Sequence, residues 1–339
     1  MKIEEIAYKL AADGKGILAA DESTATILKR FETINTESTA ESRRDYRHLL
    51  FSSSAMKDYI SGVILYDETL RQKASDGTPL SEVIMNAGSI CGIKVDTGAK
   101  PLAGYPGETI TEGLDGLRDR LQEYYDLGAR FAKWRSVLAI DENSYPHHGA
   151  VRQNAYGLAR YAALCQEAGV VPIVEPEILM DGTPGTHSLA RSYDVTSFVL
   201  HELFKALVDA NVKLEAIVLK PSMVIDGKKL RKAGVEEVAE YTVKCLKNCV
   251  PASVPSIAFL SGGQSSLEAT EHLNAINQYT NLPWNVSFSY GRALQADALK
   301  IWGGDNNNIG KAQAAFNHRA KMNSLAALGK WEKSLENNG

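Results

Sequence analysis

Short apolar runs that end in a polar or charged residue recur along this chain. They are GILAADES (16–23), GVILYDE (62–68), CGIKVD (91–96), FAKWRSVL (131–138), VPIVEPEI (171–178), EAIVLKP (215–221), SIAFLSGG (256–263) and NVSFSYG (285–291). Their length and their β-branched and aromatic residues fit strands covered on both faces. Between them lie segments of helical spacing, such as GLDGLRDRLQEYYDLGA (113–129), AYGLARYAALCQEAG (155–169), SFVLHELFKALVDA (197–210) and VEEVAEYTVKCLKN (235–248), several closed by Gly or Asn. Eight strand–helix alternations without an internal repeat predict an α/β chain folded as a TIM (β/α)8 barrel. A doubly wound sheet is the rival, but no GxGxxG opens a helix here. An amphipathic opening helix (Ile3, Ile6, Ala7, Leu10) and two helical patterns past Arg292 predict additional N- and C-terminal helices. No linker or low-complexity stretch divides the chain, so residues 1–339 are expected to form one catalytic domain. Residues 181–194 read as the longest irregular connection, a surface excursion, and the tail from about residue 331 reads as frayed.

Side chains alternate along a strand, so residues of one parity share a face. Ile17, Ala19 and Asp21 align, as do Phe131, Lys133 and Arg135, then Val171, Ile173, Glu175 and Glu177, then Ala216, Val218 and Lys220. Each set turns from apolar to charged toward its C-terminal end. With that parity inward, the C-terminal mouth would hold Asp21, Lys94, Asp96, Lys133, Arg135, Glu175, Glu177 and Lys220, where barrel enzymes place their chemistry. So many charges at one end are costly to bury without a function. Pro221 ends the sixth run and leaves Lys220 at its mouth. A lysine in apolar surroundings loses hydration in its charged form, which favours the neutral amine that attacks carbonyls. The competing reading of Lys220 is a strand-end lysine that snorkels to water.

The last two runs point to an anionic substrate. SGGQSS (261–266) sets two glycines before a helical segment, and SYGRA (289–293) offers Gly291 and Arg292. Loops after strands seven and eight bind phosphate in many barrels. DESTATILKR (21–30) adds the hydroxyls of Ser23 and Thr26 and the guanidinium of Arg30 for a second anion; its plain reading is a capped helix with a solvated basic end.

Composition narrows the class. With 37 basic and 41 acidic residues and a net charge of −4, nothing marks a nucleic-acid or polybasic membrane surface. The N-terminus lacks a signal-peptide core and no run is long enough to span a bilayer, so a cytoplasmic location is expected. Cys91, Cys165, Cys245 and Cys249 lack CxxC spacing and read as reduced buried thiols. Cys245 and Cys249 share a helix face but make a poor metal site, and none of the seven histidines forms HxxxH. No metal is expected.

The stretches GKGILAADES, RRDYRHLL, GVILYDETL, GIKVDTG, FAKWRSVL, VPIVEPEIL, LKPSMV, FLSGGQS, FSYGRALQA and ALKIWGG together resemble the class I fructose-bisphosphate aldolases, from about residue 3 to about residue 330. The resemblance implies reversible cleavage of fructose 1,6-bisphosphate into dihydroxyacetone phosphate and glyceraldehyde 3-phosphate through a lysine imine, with no metal or other cofactor. By motif, Lys220 would form the imine, and Glu175, with Glu177 beside it, would serve acid/base steps. Asp21 and Lys133 would assist carbon–carbon cleavage. Ser261, Gly262, Tyr290, Gly291 and Arg292 would bind the C1 phosphate, and Ser23, Thr26, Arg30, Lys94 and Arg135 would lie toward the C6 phosphate. The family also suggests a homotetramer. Two departures stand out: Thr26 replaces the more usual Ser, and no C-terminal tyrosine tail follows SLENNG. A preference for sedoheptulose 1,7-bisphosphate and a barrel kept only as a binding scaffold are the alternative functions.

Overall fold

The structure, a computed structural model, describes residues 2–10, 12–181 and 185–338. Eight parallel strands close into a barrel in sequential order: β1 (Gly16–Ala20), β2 (Ile60–Leu65), β3 (Ile90–Lys94), β4 (Phe131–Leu138), β5 (Val171–Ile178), β6 (Val218–Leu219), β7 (Ser256–Phe259) and β8 (Asn285–Tyr290). The last joins the first through Ile17 opposite Ser289, and every neighbouring pair runs parallel. Closure removes the sheet edges, and helices cover the outside, as expected for a TIM barrel.

The strand periodicity divides the core as anticipated. Ile17, Ala19, Ile64, Phe131, Val171, Ile173, Val218 and Ala258 form the barrel interior, and Ile6, Ala7 and Leu10 of the opening helix Ile3–Leu10 join them. That helix plugs the N-terminal end. The opposite parity packs outward; Trp134 is fully buried and stacks on Tyr161 of helix His148–Glu167 at 5.5 Å between ring centroids. Glycines make room for the large Phe131 ring inside: a Cβ at Gly92 would overlap it, and one at Gly62 would meet it at 2.9 Å.

Four expectations need correction. The sixth run forms ladder pairs only at Val218–Leu219, because Leu214–Ala216 turns as a 3-10 helix. Residues 181–194 are not an extended excursion: helix Leu189–Asp209 begins within them, and 182–184 lie outside the described residues. The longest irregular connection instead follows β6, from Lys220 to Gly234. The tail is tied down: Lys333–Asn338 is a 3-10 helix, Glu336 pairs with Arg319 at 2.7 Å, and Trp331 Nε1 donates to Glu336 at 2.9 Å. An unforeseen antiparallel hairpin, Gly98–Pro101 with Thr109–Glu112, follows β3. It lies on β4, where Thr109 and Thr111 hydroxyls each donate to the carbonyls of Val137 and Arg135 at 2.7 Å. Among the described residues no helix is long and apolar enough to cross a membrane.

Phe131 fills the space that Gly62 and Gly92 leave, so Phe131→Ala should destabilise the chain by about 3–5 kcal/mol through the cavity it opens. The urea-unfolding midpoint measures this; an unchanged midpoint contradicts the packing described.

Candidate active site

The C-terminal mouth of the barrel is a cavity of about 380 Å³ lined by the ends of β1 and β3–β8 and by the hairpin. Three strands deliver its charged floor. β4 carries Lys133, β5 carries Glu175, and Lys220 stands directly after β6, its N–H donating to Val174 O at 2.8 Å. All three side chains are at least nine-tenths buried. Asp21 enters from β1 on the far side. Lys220 Nζ is 3.2 Å from Glu175 Oε1, Lys133 Nζ is 3.3 Å from Glu175 Oε2, and Lys133 Nζ is 2.6 Å from Asp21 Oδ2. One carboxylate thus bridges two lysines, and the second lysine bridges two carboxylates.

Charge, rather than solvent, sets the protonation of this cluster. Burial pushes the Glu175 carboxyl up, but Lys133, Lys220 and Arg135 outweigh it and hold the group below its ordinary value. Asp21 follows the same pattern with Lys133, Lys220 and Lys94. For Lys133, burial favours loss of the proton, yet Asp21 and Glu175 win and raise its affinity for it. The site therefore holds two ionised carboxylates against a lysine that keeps its proton.

Above the floor, each rim cation is matched with an acid. Lys94 Nζ is 2.9 Å from Asp96 Oδ1, Arg135 pairs with Glu177, Arg30 pairs with Glu22, and Arg292 lies 4.0 Å from Asp181. Ser23 caps helix Thr24–Glu32, accepting from Thr26 N–H at 3.3 Å, and its hydroxyl is 3.1 Å from that of Thr26. Gly263 has φ +72°, a left-handed conformation that glycine adopts without strain, and a Cβ at Gly262 would press on Leu260 at 2.9 Å. The turn brings Ser261 and Gly262 to the wall opposite Lys94.

The structure gathers nearly every residue named from the sequence, with one correction. The Tyr290 side chain is not in the cavity: it is fully buried and its hydroxyl donates to Ala269 O at 3.0 Å, while Ser289 and Gly291 line the wall. Strand parity explains this, since residue 290 points outward when 289 points in. Arg30 and Thr26 line the same cavity as Lys94 and Arg135. They also share a second cavity with Ser261 and Arg292, and Arg30 Nη2 is 3.7 Å from a Cβ built on Gly291. Closure places the loop after β1 beside that after β8, an adjacency the linear order hides. Glu22 lines the cavity without a signal in the sequence. It is buried, and besides pairing with Arg30 it accepts from Gln295 Nε2 at 3.2 Å, while its backbone carbonyl accepts from Arg47 Nη2 at 2.7 Å. Among the described residues no group of three His, Cys, Asp or Glu could hold a metal ion.

A closed parallel barrel with a buried lysine amine against a carboxylate at its mouth defines an imine-forming barrel enzyme. The family profile "Fructose-bisphosphate aldolase class-I" matches residues 2–339. A probable fructose-bisphosphate aldolase class 1 of Xanthomonas campestris is 56% identical over 333 residues, covering 98% of each chain. Fructose-bisphosphate aldolase 6, cytosolic, of Arabidopsis thaliana is 54% identical over 331 residues, 97% of this chain and 91% of that one. A solved fructose-bisphosphate aldolase of Plasmodium falciparum, crystallised with TRAP and a small-molecule inhibitor, matches with a TM-score of 0.95 and 48% identity over 97% of this chain and 95% of that one. The chain belongs to the class I fructose-bisphosphate aldolases. Its reaction is the reversible cleavage of fructose 1,6-bisphosphate to dihydroxyacetone phosphate and glyceraldehyde 3-phosphate through a lysine Schiff base, without a metal.

Because Asp21 and Glu175 are held below their ordinary values of 3.8 and 4.5, the folded chain binds fewer protons than the unfolded one in mild acid. Their stabilisation is complete above about pH 5 and is lost as pH falls through the depressed values. Unfolding midpoints should therefore hold above about pH 5 and fall progressively as the pH is lowered below it. Asp21→Asn should shrink that drop and lower stability near neutral pH by about 3 kcal/mol, since Lys133 loses its nearest counter-charge.

Proposed function

We propose that Lys220 is the imine-forming residue and that Glu175 moves the protons of imine formation; the 3.2 Å approach of Lys220 Nζ to Glu175 Oε1 carries this reading. The Lys220 amine, its proton passed to Glu175, attacks the C2 carbonyl carbon of the open-chain ketose. Glu175 then returns a proton to the carbinolamine oxygen, which leaves as water and gives the iminium. That cation accepts the electron pair of the C3–C4 bond when it breaks. Asp21 takes the proton of the C4 hydroxyl, which becomes the aldehyde, and Lys133 holds Asp21 ionised and in place at 2.6 Å. Glu177 fixes Arg135 at the rim.

The two phosphates bind at opposite sides of the mouth. Ser261, Gly262, Gly291 and Arg292, joined by Ser23, Thr26 and Arg30, take the C1 phosphate, because these groups share one wall. Lys94 and Arg135 across the cavity take the C6 phosphate. Such clamps hold the ketone over the amine, and positioning supplies part of the rate. The protein acts in the cytosol as a homotetramer: two of the Arabidopsis relatives are named cytosolic, and the family favours four subunits. Sedimentation equilibrium measures the assembly, and a monomer at micromolar concentration rejects it.

Borohydride added with dihydroxyacetone phosphate should inactivate the protein and label Lys220, and Lys220→Ala should abolish both turnover and labelling. Label on another lysine sinks the assignment. Glu175→Gln should lower kcat by about 10²–10⁴-fold with a smaller change in KM. Excess chelator should leave kcat unchanged.

The two-sided phosphate assignment separates by substrate. Arg30→Ala should raise KM for fructose 1-phosphate and for the bisphosphate alike, whereas Lys94→Ala should raise it for the bisphosphate only. Equal behaviour of the two variants would return Arg30 to the C6 side.

A further inference from the structure

The four cysteines are buried and free, but they do not share one environment. Cys245 and Cys249 occupy successive turns of the crossover helix Val235–Cys249, and their i,i+4 spacing sets them on one face. That face packs on helix Leu189–Asp209. There Ser197 Oγ is 3.4 Å from Cys245 Sγ, and Cys249 Sγ is 3.8 Å from both Ser197 O and His201 Nδ1. Cys249 is the last residue of its helix and is 8% exposed, beside the exposed His201.

The contrast with the other pair is chemical. Burial, against the opposing pull of Arg130, pushes the Cys91 thiol up to about 12, and burial likewise raises that of Cys165. At Cys249 the influence of the neighbouring Cys245 thiol outweighs burial, His201 adds to it, and the thiol falls below its ordinary range, while Cys245 moves the opposite way. One sulfur is thus prepared to attack and its neighbour to follow, the arrangement of a reactive thiol next to a resolving one.

We propose that Cys249 and Cys245 form a hydroperoxide-reactive thiol pair that closes to a reversible intrahelical disulfide. The Cys249 thiolate attacks one oxygen of the hydroperoxide; the S–O bond forms as O–O breaks, and the departing oxygen takes up a proton. With hydrogen peroxide the products are a Cys249 sulfenic acid and water. The Cys245 sulfur then attacks Cys249 Sγ, the S–S bond forms, and the S–O bond breaks to release a second water carrying the Cys245 proton. The sulfurs together lose two electrons and the peroxide gains them. Helix geometry sets Cα atoms four residues apart at about 6 Å, inside the roughly 4.4–6.8 Å that disulfides span. Only the final helical turn has to adjust. The pair lies where this helix leads back to the start of β7, at the end of the barrel opposite the mouth, so it is separate from the imine chemistry.

The full chain treated with equimolar hydrogen peroxide, then denatured and titrated with a thiol reagent, should lose two of its four thiols and regain both with dithiothreitol. Peptide mapping should find Cys245 joined to Cys249, lighter by two hydrogen atoms. Cys245→Ser should lose one thiol and yield a Cys249 adduct with a sulfenic-acid-trapping 1,3-dione; Cys249→Ser should lose none. On the native wild-type chain, iodoacetamide should label Cys249 before the other three. Survival of all four thiols, first labelling of Cys91 or Cys165, or unchanged oxidation in Cys249→Ser overturns the proposal.

Discussion

The structure depends on mutual neutralisation of four charges at the barrel mouth, three of them buried: Asp21, Lys133, Glu175 and Lys220. Moving any one of them from water into a protein interior costs several kcal/mol even after relaxation, and attraction repays that only with close geometry. Glu175 and Lys220 come from adjacent strands, but Asp21 directly after β1 and Lys133 on β4 do not belong to neighbouring strands. Their 2.6 Å contact crosses the barrel interior, so it exists only when the sheet has closed. Chemistry and closure are thus coupled. The charges that make the mouth reactive are satisfied by the architecture that positions them.

The apolar layers beneath have the complementary task of keeping water out. Phe131 fills the space left by Gly62 and Gly92, and Ile6, Ala7 and Leu10 stop the N-terminal end. Electrostatic interactions strengthen as local polarity falls, which is why Lys133 retains its proton and both acids stay ionised despite burial. An open barrel floor would admit water and weaken the cluster without altering any residue in it.

What could be read from the sequence follows from this same layering. Strand parity alone carried Ile17, Ala19 and Asp21, or Phe131, Lys133 and Arg135, from apolar floor to charged rim, because a period of two needs no tertiary information. By the same alternation Trp134, between Lys133 and Arg135, packs outward against a helix. Adjacency around the ring was not legible in the same way. The linear order separates Arg30 from Gly291, so the grouping of Arg30 with the β7 and β8 loops emerges only on closure. Tyr290 was drawn into the site by its motif, yet parity sends its hydroxyl to Ala269. The hairpin at 98–112 is held largely by threonine hydroxyls on β4 carbonyls, and the tail by Arg319 and Trp331 gripping Glu336. Both are long-range polar contacts that leave no hydrophobic period to detect.

The rim shows how anion binding is reconciled with stability. Arg30, Lys94, Arg135 and Arg292 each face a carboxylate, Glu22, Asp96, Glu177 and Asp181 respectively. A rim of unmatched cations would repel itself and splay, and long side chains would lose rotamer freedom again whenever an anion arrived. Pairing removes both problems: the guanidinium of Arg30 is already anchored by Glu22, which Gln295 and Arg47 hold in turn. A phosphate near neutral pH carries more charge than a carboxylate and three acceptor oxygens, so it can draw on a paired cation without dissolving the pair. Net charge at the mouth stays modest while each end keeps a preformed donor set. The acids beside these cations therefore serve recognition as much as stability, and Glu22, silent in the sequence, is the clearest instance.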